Sequence, residues 1–152
     1  MELDEDLFSY RSLKAYQQAK QLVIDIYSLI ALFPKEETFA LCDQLRRAVI
    51  SVPSNIAEGM GRASVKEQIH FIEISFGSLY EVMSQIEIAK ELGYITVSHL
   101  TDIETLVCDI AKLLSGLRAK RVRSLQQKNN PITHNPITHN PITAPCPPSG
   151  MP

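Results

Sequence analysis

The sequence predicts an all-α protein, an antiparallel up-and-down four-helix bundle followed by a disordered C-terminal tail. Three observations predict it. Four long segments carry apolar residues at the three-and-four spacing of amphipathic helices. The breaks between them are short and are marked by Pro34, by Gly59-Met60-Gly61 and by Gly93. From Lys128 onward the composition changes to a proline-bearing pentapeptide repeat. A length of 152 residues suits one domain with a real core. The chain therefore divides into an acidic leader over 1–9, the bundle over 10–127 and the tail over 128–152.

The first helix is expected from Leu13 to Phe33, with Tyr16, Ala19, Val23, Ile26, Tyr27, Ile30 and Phe33 on its apolar stripe and Pro34 ending it. The second runs from about Glu36 to Gly59 or Met60, with Glu36 and Glu37 favourably placed at its N-terminal dipole. Its stripe of Leu41, Leu45, Ala48, Val49, Val52 and Ile56 keeps its phase across Pro53. That favours one helix kinked at the proline over two shorter ones. The third opens at Ser64, with Glu67 in capping-box position, and closes at Gly93. It carries two apolar stripes, one of Ile69, Ile72, Phe76, Leu79, Met83 and Ile86, the other of Phe71, Ile74, Val82 and Ala89. One core needs one stripe, so the second calls for another neighbour, from this chain or from a partner subunit. The fourth starts near Ser98, buries Leu100, Ile103, Leu106, Val107, Ile110, Leu113, Leu114 and Leu117, and ends in a basic run suited to a helix C-terminus. Short loops between four such helices make neighbours antiparallel. The tail repeats Asn-Pro-Ile-Thr, with His134 and His139 between copies, a unit too short to pack or to build a solenoid.

Composition narrows the function classes. The net charge is −2, and no uncharged apolar run of about 18 residues offers a membrane span. The N-terminus is acidic where a secretory signal needs a basic start. Cys42, Cys108 and Cys146 are an odd, widely spaced set, which indicates neither a disulfide framework nor a thiolate zinc site. A cytoplasmic location follows. The sequence contains no nucleophile elbow, phosphate loop or dinucleotide fingerprint, so no enzyme is predicted. Glu67-x-x-His70 has the spacing of a di-metal bundle ligand pair, but such a site needs two of these motifs and the chain has one. Neither a metal nor a cofactor is expected.

Polar residues interrupt an apolar run between Arg46 and Gly59. At 100° per residue Arg47, Ser51, Ser54, Glu58 and Arg62 form a polar strip, whereas Arg46 falls in the apolar arc beside Pro53 and Ala57. A buried arginine wants a carboxylate. Glu73 or Glu81 on the third helix, or Glu58 of a neighbouring copy, could supply it, either fixing helix register within the chain or joining subunits. Arg46, Asn55, Glu58 and Glu81 are accordingly candidates for register or subunit contacts. Arg47 and Arg62, with Arg118, Lys120, Arg121 and Arg123 at the end of the fourth helix, are candidates for phosphate contacts. The alternative for these six is an ordinary solvated helix end with structural ion pairs.

These residues also carry a family resemblance. Gln44-Leu45-Arg46-Arg47-Ala48, Ser51-Val52-Pro53-Ser54-Asn55-Ile56-Ala57-Glu58-Gly59 and Gly77-Ser78-Leu79-Tyr80-Glu81, with Leu32-Phe33-Pro34-Lys35-Glu36 before them, resemble the bacterial four-helix-bundle proteins known as 23S rRNA intervening-sequence proteins. The likeness runs from about Tyr10 to Leu117 and leaves out the leader and the tail. It implies a left-handed bundle that assembles as a ring, a homopentamer, in the cytosol, without enzymatic activity. A related branch serves as the accessory subunit beside the reverse transcriptase of diversity-generating retroelements and binds nucleic acid through a basic surface. The expected function is thus a non-enzymatic homo-oligomeric RNA-binding or ribonucleoprotein accessory module, or alternatively an oligomeric interaction scaffold without nucleic-acid affinity.

Overall fold

The computed structural model describes residues 7–130, all helix, turn and loop with no strand among them. The leader residues 1–6 and the tail residues 131–152 lie outside this range, and with them nearly all of the pentapeptide repeat. The four predicted helices are present as α1 (Lys14–Ile30), α2 (Leu41–Met60), α3 (Val65–Glu91) and α4 (Val97–Asn129). Helix α2 starts later than expected, because Lys35–Glu37 forms a separate 3₁₀ turn after Pro34. Pro53 lies inside α2, which continues through it as one helix.

Each helix packs against two others. Helix α1 packs on α2 and α4, and α3 packs on α2 and α4, while the backbones of the diagonal pairs stay apart. This square arrangement puts one stripe of every helix on a shared core that includes Leu22, Ile26, Leu45, Val49, Ile72, Leu79, Ile110 and Leu114. It also corrects the reading of two separate faces on α3. Val82 and Ala89, assigned to the second stripe, are buried in the same core as Ile72, Leu79 and Ile86, because a helix seated between two neighbours needs the wider apolar arc. On α1 the core stripe is rotated from the expected one: Ala15, Leu22 and Leu29 are buried, whereas Tyr27 is exposed.

The order of contacts shows the antiparallel course. As positions advance along α2 from Gln44 through Ser51 and Val52 to Gly59, their partners on α3 retreat from Gln85 through Ser78 and Ser75 to Phe71. Two features hold this seam. A Cβ on Gly59 would stand 2.8 Å from Phe71 Cβ, so only glycine permits the approach. A chain of hydroxyls then spans the two helices. Ser78 Oγ donates to the Ile74 carbonyl at 3.1 Å, which leaves Ser51 to donate to Ser78 at 2.8 Å. Asn55 Nδ2 in turn donates to Ser51 Oγ at 2.8 Å. Deeper in, the wholly buried Ser75 donates to the Val52 carbonyl at 3.0 Å. Each hydroxyl uses its single proton once, so the chain is satisfied in one direction.

At one end of the bundle the two interhelical links are tied together. Helix α3 stops in a Schellman motif, with Gly93 at φ 78°, its N–H on the Lys90 carbonyl and that of Tyr94 on the Ala89 carbonyl. The Tyr94 ring lies 5.4 Å from that of Phe33, and its hydroxyl donates to Glu37 Oε1 at 3.0 Å. The other Glu37 oxygen accepts from the N–H of Leu41, at the first turn of α2. Helix α4 opens with a capping box between Thr96 and His99. The box expected at Ser64 and Glu67 does not form; Glu67 instead lies 3.9 Å from Arg62 Nη1. Cys42 is a buried free thiol whose pKa is pushed up, chiefly by burial.

Gly59→Ala should cost about 1–3 kcal/mol by overpacking the seam, less the roughly 1 kcal/mol that alanine gains over glycine in a helix. A urea midpoint lowered at unchanged m-value is the expected readout, and an unchanged midpoint would mean that Phe71 yields without cost. The Tyr94 latch predicts an alkaline effect. Its hydrogen bond to Glu37, followed by burial and the charges of Glu37 and Glu36, raises the phenol above its usual pKa. A raised folded-state pKa gives stability that is complete below the unfolded value of about 10 and is lost as pH rises through the folded value. In Glu37→Gln, the tyrosinate absorbance assigned by comparison with Tyr94→Phe should appear at lower pH than in the parent.

Candidate nucleic-acid interface

Antiparallel packing gathers the N-terminus of α1, the C-terminus of α2, the N-terminus of α3 and the C-terminal half of α4 at the end opposite the Tyr94 latch. Five of the six candidate phosphate contacts, Arg62, Arg118, Lys120, Arg121 and Arg123, come together there. Arg47 does not: it stands toward the other end of α2, 3.2 Å from Asp43 one turn away.

The gathered cations fall into two kinds. Arg118 reaches across to α3, where Nε and Nη2 both bond Glu73 Oε1, at 3.0 and 2.9 Å. Arg62 pairs with Glu58 at 2.6 Å, and its guanidinium lies 4.8 Å from the centre of the Phe71 ring. Arg121 is the most enclosed. Its Nε donates to Gln68 Oε1 at 2.8 Å, its Nη1 to the Leu117 carbonyl at 3.2 Å, and its Nη2 lies 2.9 Å from Met60 Sδ. Burial lowers its pKa, since an apolar setting disfavours the charged form. The same Gln68 donates through Nε2 to the Arg62 carbonyl at 2.7 Å, so one side chain joins α3, α4 and the α2–α3 turn. These three arginines are anchored in the fold. Lys120 and Arg123 are exposed and have no ion-pair partner among the described residues.

The register candidates also have places within the chain. Asn55 belongs to the hydroxyl chain of the α2–α3 seam. Glu58 holds Arg62, and Glu81 accepts from Gln85 at 3.3 Å. Arg46 does not take the Glu73 or Glu81 carboxylate expected for it. It donates to the Thr38 carbonyl at 3.4 Å, because the chain before α2 lies beside the first turns of that helix while Glu73 stands toward the other end of the seam, paired with Arg118.

Sequence reasoning missed the distribution of charge. The half of the bundle built from residues 7–21, 52–77 and 112–130 holds eleven Lys and Arg against three Asp and Glu. The half built from residues 22–51 and 78–111 holds four against ten. Among the described residues the bundle is therefore strongly polarised in charge; the four acids of the leader, Glu2, Asp4, Glu5 and Asp6, belong to neither count. The signal was present in α4 alone: its three acidic residues, Asp102, Glu104 and Asp109, all precede residue 110, and its basic ones all follow.

Fold and surface together define a charge-polarised, up-and-down helical bundle with no helix, among the described residues, long and apolar enough to cross a membrane. The chain belongs to the family of 23S rRNA-intervening sequence proteins, whose model matches residues 11–116. Among solved structures, it is similar to a protein of unknown function from the S23 ribosomal protein family of Bacteroides thetaiotaomicron, with a crystal structure at 1.70 Å resolution. The two are 22% identical, and the match covers 68% of this chain and 97% of the other with a TM-score of 0.64. That likeness concerns the fold. No curated protein matches the chain.

The two kinds of cation should separate in a mutational series. Arg121→Ala leaves Gln68 Oε1 without its donor and should cost about 1–3 kcal/mol, whereas Lys120→Ala and Arg123→Ala should stay within about 0.5 kcal/mol of the parent. Equal losses in thermal unfolding would contradict the division.

Proposed function

We propose that this chain is a non-enzymatic, homo-oligomeric cytoplasmic module that binds structured RNA through the basic end of its bundle. The charge polarity carries this reading. Eleven cations against three acids on one half far exceed what a solvated helix end requires, and the anchored arginines leave Lys120 and Arg123 facing outward. Membership of a family named for an rRNA insertion agrees with such a ligand. Self-association is supported by large apolar side chains left in solvent: Phe39 is 94% and Tyr80 66% exposed, and Ile24, Tyr27 and Ile50 are exposed on α1 and α2. The same side chains favour the second reading, an interaction scaffold without nucleic-acid affinity. Association that placed basic ends side by side would multiply the contacts available to one RNA.

Fluorescence anisotropy of a labelled structured RNA decides between the readings. Binding should weaken steeply with salt, and Lys120→Glu with Arg123→Glu should weaken it at least tenfold while circular dichroism remains that of the parent. Failure to retain any structured RNA at low salt would leave the scaffold. Light scattering of the full chain tests the oligomer separately, and a monomer at micromolar concentration would remove that part of the proposal.

A further inference from the structure

Resting on the RNA-binding reading above, we infer that the basic end grips the phosphate backbone of a nucleic-acid duplex, without sequence preference, through one exposed stripe of α4 that carries Lys112, Lys120 and Arg123. At 3.6 residues per turn these three, with Gly116 and Gln127, fall within an arc of about 80° on a rod of roughly 22 Å. All five are exposed. Among the described residues none of the three cations has an ion-pair partner, and residues 110–130 contain no Asp or Glu to compete with a phosphate. The stripe is therefore a straight line of unspent positive charge on a rigid element. Gly116 leaves its middle without a side chain, and nothing stands within 4 Å of where a Cβ would be, so a phosphate ridge can approach the helix closely.

What the stripe lacks identifies the ligand further. Binding of unpaired bases depends on aromatic platforms, and α4 contains no Phe, Tyr or Trp. None of the exposed large apolar residues lies between 112 and 130, so there is no wedge for a base step and no apolar face to enter a lipid surface. Lysine is a point charge, and the stripe holds one arginine fork able to read a guanine edge. The deep major groove of duplex RNA is closed to side chains in any case. What such a surface can hold is a regular array of phosphates, about one charge per 1.7 Å of duplex axis.

The test measures anisotropy of the full chain with an RNA hairpin duplex, a hairpin of the same length and scrambled sequence, and the unpaired strands. Vesicles containing phosphatidylserine form a separate arm. The two duplexes should bind within about twofold of each other, and the single strands at least tenfold more weakly. For three phosphate contacts the duplex affinity should fall about 40-fold between 50 and 200 mM salt, and Lys120→Gln with Arg123→Gln should leave about a third of the logarithmic slope. These exposed positions should leave the melting temperature unchanged. Tighter binding of single strands, preference for one duplex sequence, binding to vesicles but not RNA, or an unaltered salt slope in the double variant would each overturn the inference. RNA bound in any of the wrong ways leaves the broader function standing, whereas no RNA bound at all removes both.

Discussion

The close seam between α2 and α3 is the constraint on which the rest of the bundle depends. A core of Leu, Ile and Val supplies most of the driving force for packing, but apolar contact is non-directional and tolerates sliding by a turn. Gly59 against Phe71 and the Asn55-Ser51-Ser78 chain admit far fewer arrangements. A slip by one turn would set Asn55 or Ile56 where only glycine fits and would part Ser75 and Ser78 from their partners on α2. Polar groups inside a helix interface cost more when unsatisfied than they return when satisfied. Their effect is therefore to penalise alternative registers more than to deepen the native one. With that register set, Gln68 and Glu73 on α3 arrive opposite Arg121 and Arg118 on α4.

The same topology creates the electrical polarity. Residues 7–21, 52–77 and 112–130 are remote in sequence and become one end of the molecule because each helix reverses the direction of the last. Net charge averages over exactly the separation that matters, since a ligand approaching one end is nearer to that end's cations than to the acids of the other. At physiological ionic strength the screening length is about 8 Å, shorter than the roughly 30 Å length of a helix of 20 residues. The acidic half then contributes little to the potential at the basic end. The acids of residues 22–51 and 78–111 are thus no argument against a polyanionic ligand at the other end.

Much of the fold was legible in the sequence. Four apolar periodicities and three breaks located the helices, and the stripe on α2 from Leu45 to Ile56 matches the buried set. The errors share a cause, which is that tertiary neighbours choose among local possibilities. Tyr27 and Leu29 are both apolar enough to enter the core of α1, and the position of α4 selected Leu29. Ser75 and Ser78, which the apolar stripes expected on α3 left out, are buried because α2 carries groups that can bond them. Glu67 had the spacing to cap α3, but Arg62 stands near enough to compete for it. Arg46 had the look of a carboxylate partner, and a nearby backbone carbonyl met its need. Of the candidate interface, the cationic residues were legible, but which were anchored and which were free depended on cross-helix partners that spacing alone does not give.

The division between anchored and outward cations has a mechanical consequence. Arginines that hold helices together would make poor ligand contacts, because pulling Arg121 from Gln68, Met60 and the Leu117 carbonyl exposes unsatisfied groups in the α2–α3–α4 junction. Lysines and an arginine on the outer stripe of α4 can exchange water and counterions for phosphates while the junction stays intact. Binding then requires no rearrangement beyond the ordering of a few side chains, a cost of about 0.5–1.5 kcal/mol each. The opposite end is closed by chemistry of another kind, with Glu37 holding both the start of α2 and the hydroxyl of Tyr94. One end of the bundle is thus tied by acidic and neutral groups, while the other is tied by arginines whose charge still adds to the field felt by a ligand. In the proposed function, the anchored cations would draw a polyanion in, and the free ones would hold it.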